Sequence, residues 1–212
     1  MDRGDTSPPN SRSRPLDRPI RGNRATLLDV VLVAPQIATN TGNIIRLCAN
    51  VGARLHLVEP FGFLLDAAAV RRGGLDYHEL VDVRRWESWA ECRDGLGTGP
   101  LRRWFATTAA GAERHDDERA PRRYDGCAYR SGDIVVFGCE ASGLPAEVLA
   151  EFDPDRRLTI PMRPGNRSLN IANAVAVVTY EAWRQHGYSG AARDVDHPGG
   201  TFSESLRTDS TR

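Results

Sequence analysis

The sequence contains no lysine: all 28 of its basic residues are arginine, set against 28 acidic residues. That absence removes Schiff-base chemistry, a phosphate-loop lysine and a lysine general base. A formal net charge of zero argues against a protein coated in positive charge, yet leaves room for a local phosphate-binding face. No run approaches the ~18 apolar residues of a membrane-spanning helix. The four cysteines, Cys48, Cys92, Cys127 and Cys139, lack C-x-x-C spacing. They read as reduced cytosolic thiols, with neither a disulfide framework nor a metal site expected. There is no G-x-S-x-G elbow and no Walker sequence. Gly95, Gly97 and Gly99 follow a helical pattern and run into Pro100, so they do not make a dinucleotide fingerprint. His56 and His78 have no evident metal partner.

With 212 residues, 40% apolar and 26% charged, the chain is long enough to bury a core as one globular domain. The first 24 residues hold six Arg against three Asp and few apolar groups. Residues 1–26 are therefore expected to be a disordered basic arm, without the apolar core of a signal peptide. Residues 27–188 read as the folded domain, and 189–212 as a second tail. The segment 110–132 is charged and long for a connection, so it is expected to be an insertion or mobile loop.

Inside the domain, strand and helix patterns alternate. Leu28–Ala34 is an apolar, β-branched run, as in a buried strand. A helix is expected over Thr41–Val51, capped by Asn40 or Thr41 and stopped by Gly52. Further strands are expected at Leu55–Val58, His78–Val83, Trp104–Thr108, Asp133–Gly138 and Leu158–Pro161. Helices are expected after Asp66, over Trp86–Arg93, over Pro145–Glu151 and over Leu169–His186. On the second of these, Trp86 and Trp89 would share a core-facing side. This alternation implies an α/β domain with a mostly parallel sheet flanked by helices. Ligands then gather in the loops leaving the carboxyl ends of the strands.

Three segments carry candidate chemistry. On the first helix, Asn43, Arg46 and Asn50 share one face, opposite Ile44, Ile45, Cys48 and Val51. Carboxamides beside a guanidinium suit phosphate and hydroxyl recognition; a solvated helix face is the alternative. In Phe137–Pro145, Gly138 sits at a strand end where backbone can approach a ligand, and Glu140 can accept hydrogen bonds. In Ile160–Val175, a polar loop leads to Ser168, placed to cap the last helix, with Asn170 and Asn173 in its first turns. That helix is apolar on nearly all sides up to Thr179. It then continues through Tyr180, Trp183 and Arg184, the composition of a core or a dimer interface.

Taken together, these segments resemble the SPOUT superfamily of RNA methyltransferases, most closely its TrmL type, which 2′-O-methylates the wobble nucleotide of tRNA. The resemblance spans about Leu28–Tyr188. It rests on N-T-G-N-I-I-R-L-C-A-N from Asn40, R-L-H-L-V-E-P-F-G-F from Arg54, G-L-D-Y-H-E from Gly74 and T-Y-E-A-W-R-Q-H-G-Y from Thr179. It implies a cytoplasmic homodimer with a deep trefoil knot on the C-terminal side, although knots are rare. It implies S-adenosyl-L-methionine held at Thr107, Gly138, Ile160, Ser168 and Leu169, and no metal. It implies methyl transfer to a ribose 2′-hydroxyl in the anticodon stem-loop of tRNA; the alternatives are the same transfer at another tRNA or rRNA position, or an RNA-binding module without catalysis. Arg46 matches the family's essential arginine, with Asn43 and Asn170 in support and Tyr180 in an RNA-positioning or dimer role. Two positions depart from the pattern: Ser142 stands where an arginine is usual, and Ala110 where a lysine is usual. Both should weaken RNA binding and flatten its salt dependence.

Overall fold

A computed structural model describes residues 26–63, 83–99, 102–109, 120–166 and 168–192. The helix expected after Asp66, Ala110 and most of the strand expected at 78–83 lie outside the described residues.

Strand β1 (Leu28–Val33) is buried along its whole length. It is flanked by β2 (Arg54–Val58) and β6 (Asp133–Phe137), both parallel to it. β3 (Val83–Trp86), β4 (Trp104–Thr107), β5 (Arg122–Arg123) and β7 (Arg157–Thr159) complete a seven-stranded sheet of order β3-β2-β1-β6-β4-β7-β5. Every strand pair is parallel. A β-branched run such as DVVLV suits a strand covered on both faces.

Alternation along the strands sorts the core into two layers. Leu28, Val30 and Leu32 face helices α1 (Ala38–Val51) and α4 (Ile171–Gln185), packing with Ile44, Ile45, Cys48, Val175 and Val178. Val31 and Val33 face α2 (Trp89–Leu96) and α3 (Ala146–Ala150), packing with Cys92, Leu96 and Val148.

Four local expectations are corrected. Helix α1 begins one turn early: Ile37 is its N-cap residue, so neither Asn40 nor Thr41 caps it. Asn170, not Ser168, caps α4, its Oδ1 accepting from the Ala172 and Asn173 amides at 2.9 and 3.4 Å. Trp86 ends β3 instead of opening a helix, because its indole is needed against β2. Residues 120–132 are structured: Arg122–Arg123 form β5, and Cys127 and Tyr129 are buried in the core.

The amino edge of the sheet is closed by one carboxylate. Asp29 is fully buried and accepts from Arg54 (Nε 2.7 Å, Nη2 2.9 Å), Arg102 (2.9 Å) and His56 (2.9 Å). The Trp86 indole N–H donates to His56 Nδ1 at 3.1 Å. That bond requires Nδ1 to be unprotonated, so the ring is neutral and its Nε2–H donates to Asp29. Burial pushes the His56 pKa down, outweighing the pull of Asp29. Burial alone would raise Asp29, but hydrogen bonds from His56 and Arg54 hold it below the usual carboxylate value.

Both shifts make acid destabilising. For His56 the unfolded chain takes up the proton first, so stability falls as pH drops below about 6.5. For Asp29 the stabilisation is complete above about pH 4 and is lost as pH falls through the depressed folded value. A melting-temperature series against pH should therefore be flat near neutrality and fall through both windows. Trp86→Phe removes the donor that excludes a proton from Nδ1. It should cost about 1 kcal/mol at pH 7 and flatten the upper part of the acid limb. An unchanged limb would contradict this role. Asp29→Ala should cost about 3 kcal/mol, the low end for a buried ion pair, because its arginine partners keep some solvent.

Candidate active site at the carboxyl edge of the sheet

Because all strands are parallel, their carboxyl ends meet at one edge, together with the starts of α1 and α4. β1 is followed by Ala34, whose φ of 52° lies in the left-handed region, a conformation that costs a residue with a Cβ about 1 kcal/mol. The chain then turns through Pro35, Gln36 and Ile37 into α1.

That turn is held by Glu140, from the loop after β6. Its carboxylate accepts from the Gln36 amide (2.8 Å), the Ile37 amide (3.2 Å) and Asn40 Nδ2 (3.1 Å). Asn40 Oδ1 in turn accepts from Asn170 Nδ2 at 3.1 Å. Asn170 passes the network to the first turn of α4 through its capping bonds. A continuous set of hydrogen bonds thus joins the loops after β1 and β6 to the starts of α1 and α4. Helix α1 has no side-chain cap and no acidic residue in its first turn. Glu140 supplies, from another loop, the negative charge that a helix N-terminus favours. Burial would raise its pKa, but the bonds from Gln36, its own amide, Asn40 and Ile37 hold it below the usual value, so it is ionised at neutral pH.

The loop that carries Glu140 leaves no latitude at Gly138. A Cβ there would lie 2.0 Å from the Gly143 carbonyl carbon and 2.1 Å from the Leu144 nitrogen. Cys139 and Gly143 close the loop by exchanging backbone hydrogen bonds of 3.0 and 2.9 Å.

The residues expected to hold a cofactor lie along this same edge. Thr107, Gly138 and Ile160 stand at the ends of β4, β6 and β7, and β4 is bonded to both of the others. The Thr107 hydroxyl is engaged, donating to the Val136 carbonyl at 3.0 Å. Ser168 and Leu169 precede α4 and are exposed, Leu169 by 38%. Asn43 and Arg46 are exposed on α1, on the face opposite its buried stripe. Tyr180 is apart from this cluster: it is 44% exposed and lies about 15 Å along α4 from the cap. It packs edge-on against Trp183 at 5.7 Å.

Asn40 is not among the site residues expected from the sequence, where it reads as a cap. The only hint was its place in N-T-G-N, and its true partners are 100 and 130 residues away. A cavity of about 310 Å³ does not coincide with this edge: it lies at the amino side of β4, among Trp89, Arg93, Arg102, Arg103, Glu151 and Arg156. Three of its guanidiniums are tied to Glu151, Asp29 and Asp133, which makes it a structural ion-pair region. Among the described residues no group of three His, Cys, Asp or Glu side chains could hold a metal, and no helix is long and apolar enough to cross a membrane.

Known proteins resemble this chain in sequence and fold. A family model described as the SpoU rRNA Methylase family matches residues 27–180. A Burkholderia ambifaria protein named tRNA (cytidine(34)-2′-O)-methyltransferase is 50% identical over 166 residues, covering 78% of this chain and 100% of its own. The Escherichia coli K12 protein of the same name is 46% identical over 165 residues, covering 78% and 98%. A solved structure described as concerning 2-OH methylation of C/U34 on tRNA superposes with a TM-score of 0.65 at 42% identity, covering 76% of this chain and 97% of that one. The AviRb methyltransferase of Streptomyces viridochromogenes, solved with AdoMet, superposes with a TM-score of 0.60 at 26% identity, covering 80% and 61%.

Glu140→Ala should leave the Gln36 and Ile37 amides to solvent and lower stability by about 1 kcal/mol, a fall of roughly 2–4 °C for a domain of this size. Gly138→Ala should cost about 3 kcal/mol, the upper range for a forced overlap. Calorimetric melting checks both, and a Gly138→Ala protein as stable as wild type would contradict the packing described.

Proposed function

The chain belongs to the SpoU rRNA methylase family, and on that premise we propose that it transfers a methyl group from S-adenosyl-L-methionine to the ribose 2′-hydroxyl of the wobble nucleotide of tRNA. The observation that carries this reading is the convergence of the three chemistry-bearing segments on one sheet edge through Glu140, Asn40 and Asn170. The named relatives at 46–50% identity support the choice of nucleotide.

The residues at this edge fit the cofactor. Three adjacent strand ends offer backbone groups at Thr107, Gly138 and Ile160, and Leu169 offers an exposed apolar wall. Ser168 adds a hydroxyl. When bound, the cofactor supplies a methyl group already activated by its positively charged sulfur. Arg46 grips the phosphate beside the target and orients the 2′-hydroxyl by its forked N–H groups. A guanidinium stays protonated, so the proton passes to a phosphate oxygen or to water. Asn43, three residues before Arg46 on the same face, steadies the ribose. Glu140 and Asn170 position: their acceptor oxygens are occupied by amides and carboxamides, which suits alignment rather than proton transfer.

Two copies assemble along the outer stripe of α4 and the turn after it, where Tyr180 and Tyr188 are exposed and Ala176 and Val177 are half-buried. The C-terminal loops form the trefoil knot of the SPOUT fold, and the anticodon stem-loop docks on the dimer in the cytoplasm. The basic arm 1–26 and the insertion around 113–130 offset the cations missing at Ser142 and Ala110.

The test incubates purified protein with bulk tRNA and labelled S-adenosyl-L-methionine, then maps the labelled nucleoside by mass spectrometry. Label in a 2′-O-methylated wobble cytidine or uridine is the expected result. Label at another position would move the substrate, as the serine at position 142 would then explain. No label with cofactor bound would overturn the enzymatic reading. Arg46→Lys keeps the charge but loses the fork; methyl transfer should fall about 10²-fold or more with cofactor affinity unchanged. Full activity in that variant would contradict the role given to Arg46.

A further inference from the structure

The motif E-P-F-G-F, Glu59–Phe63, follows β2 and has no part in the reaction just described. Phe61 and Phe63 stack on each other, with centroids 5.8 Å apart and planes 17° from parallel. Both rings are half-buried, so part of each remains open to solvent. The loop is fastened to the turn that Glu140 holds. The Gly62 amide donates to the Pro35 carbonyl at 3.0 Å. A Cβ at Gly62 would lie 2.5 Å from Gln36 Oε1 and 2.7 Å from Gln36 Cα, so only glycine permits this contact. Next to Gln36, Ile37 exposes 46% of its surface although its amide is pinned by Glu140. The Arg85 guanidinium lies 5.4 Å from the Phe61 ring centre, with Nε donating to Glu59 at 2.6 Å and half of its side chain exposed.

We propose that Phe61, Phe63 and Ile37 form a stacking surface for an unpaired nucleobase next to the methylated nucleotide, with Arg85 facing its phosphate. The inference rests on the functional reading above and adds to it the contact that grips the RNA. Single-stranded RNA is recognised by bases splayed onto aromatic faces with cations alongside, and this loop holds both. The nearby carboxamides are already engaged: Gln36 Nε2 donates to the Ala34 carbonyl at 2.8 Å, and Asn40 and Asn170 bond each other, Glu140 and the amides of α4. Apolar stacking accepts any base face, so the contact holds the loop without selecting its sequence. Anchoring through Gly62 and Gln36 fixes the surface relative to the transfer site, so stacking one base registers its neighbour.

The test uses the full chain with cofactor and an anticodon stem-loop carrying 2-aminopurine at either nucleotide flanking the target. Phe63→Ala should weaken RNA binding and raise the KM for tRNA about ten- to a hundredfold, the loss typical of one stacked base. Cofactor affinity and the salt slope of binding should be unchanged, since no charge is removed. Phe63→Trp should restore affinity, and the change in 2-aminopurine fluorescence expected on binding to wild type should be lost in Phe63→Ala. Phe63→Leu, which keeps apolar volume for folding, should bind as weakly as the alanine variant. Wild type that methylates tRNA, beside a Phe63→Leu protein binding RNA within twofold of it, would overturn this inference alone. Wild type that leaves tRNA unmethylated would remove the functional reading first.

Discussion

A carboxylate that touches no other charged group among the described residues organises the carboxyl edge of the sheet. Glu140 accepts from two backbone amides of the turn after β1 and from Asn40, and Asn40 accepts from Asn170. The turn, the start of α1 and the start of α4 each have free polar groups that secondary structure does not satisfy. Glu140 and the two asparagines satisfy one another and those groups together. The steric closure at Gly138 sets where Glu140 can reach, so a missing Cβ in one loop determines how two helices begin.

The parallel sheet separates stability from chemistry. Its amino edge is sealed by Asp29 with Arg54, Arg102 and His56, a buried cluster whose tautomer is set by Trp86. Its carboxyl edge carries the polar network, the exposed face of α1 and the exposed apolar residues Ile37 and Leu169. Between the two edges lie apolar layers on both faces of the sheet. At the carboxyl edge the chain takes a left-handed conformation at Ala34, where it leaves β1. Parallel α/β sheets place their ligands at this edge.

The layered fold was legible because its signals are local. β-branched runs mark β1 and β6, helical spacing sorts α1 into Asn43, Arg46 and Asn50 against Ile44, Ile45, Cys48 and Val51, and Gly52 closes the helix. What escaped was set by distant partners. Asn40 and Ser168 look like caps, but Glu140 serves the first helix from a hundred residues away, and Asn170 caps the last while bonding Asn40. Trp86 sits at helical spacing from Trp89, yet its indole is required by His56, thirty residues earlier. Arg122–Arg123 were unreadable as a strand because two exposed arginines carry no alternation; their place comes from pairing with β7. The site residues inferred by resemblance fall mostly at one edge, with Tyr180 the exception. Resemblance supplied their roles, and spacing alone left a solvated face equally open.

If Glu140, Asn40 and Asn170 act as one positioning unit, no member contributes separately. A double-mutant cycle on methyl transfer tests it most directly, comparing Asn40→Ala, Asn170→Ala and the double variant at saturating tRNA and cofactor. If the network is one unit, each single change loosens the same geometry, and the double variant is no slower than the worse single. Losses that simply multiply would show two independent side chains and contradict the account.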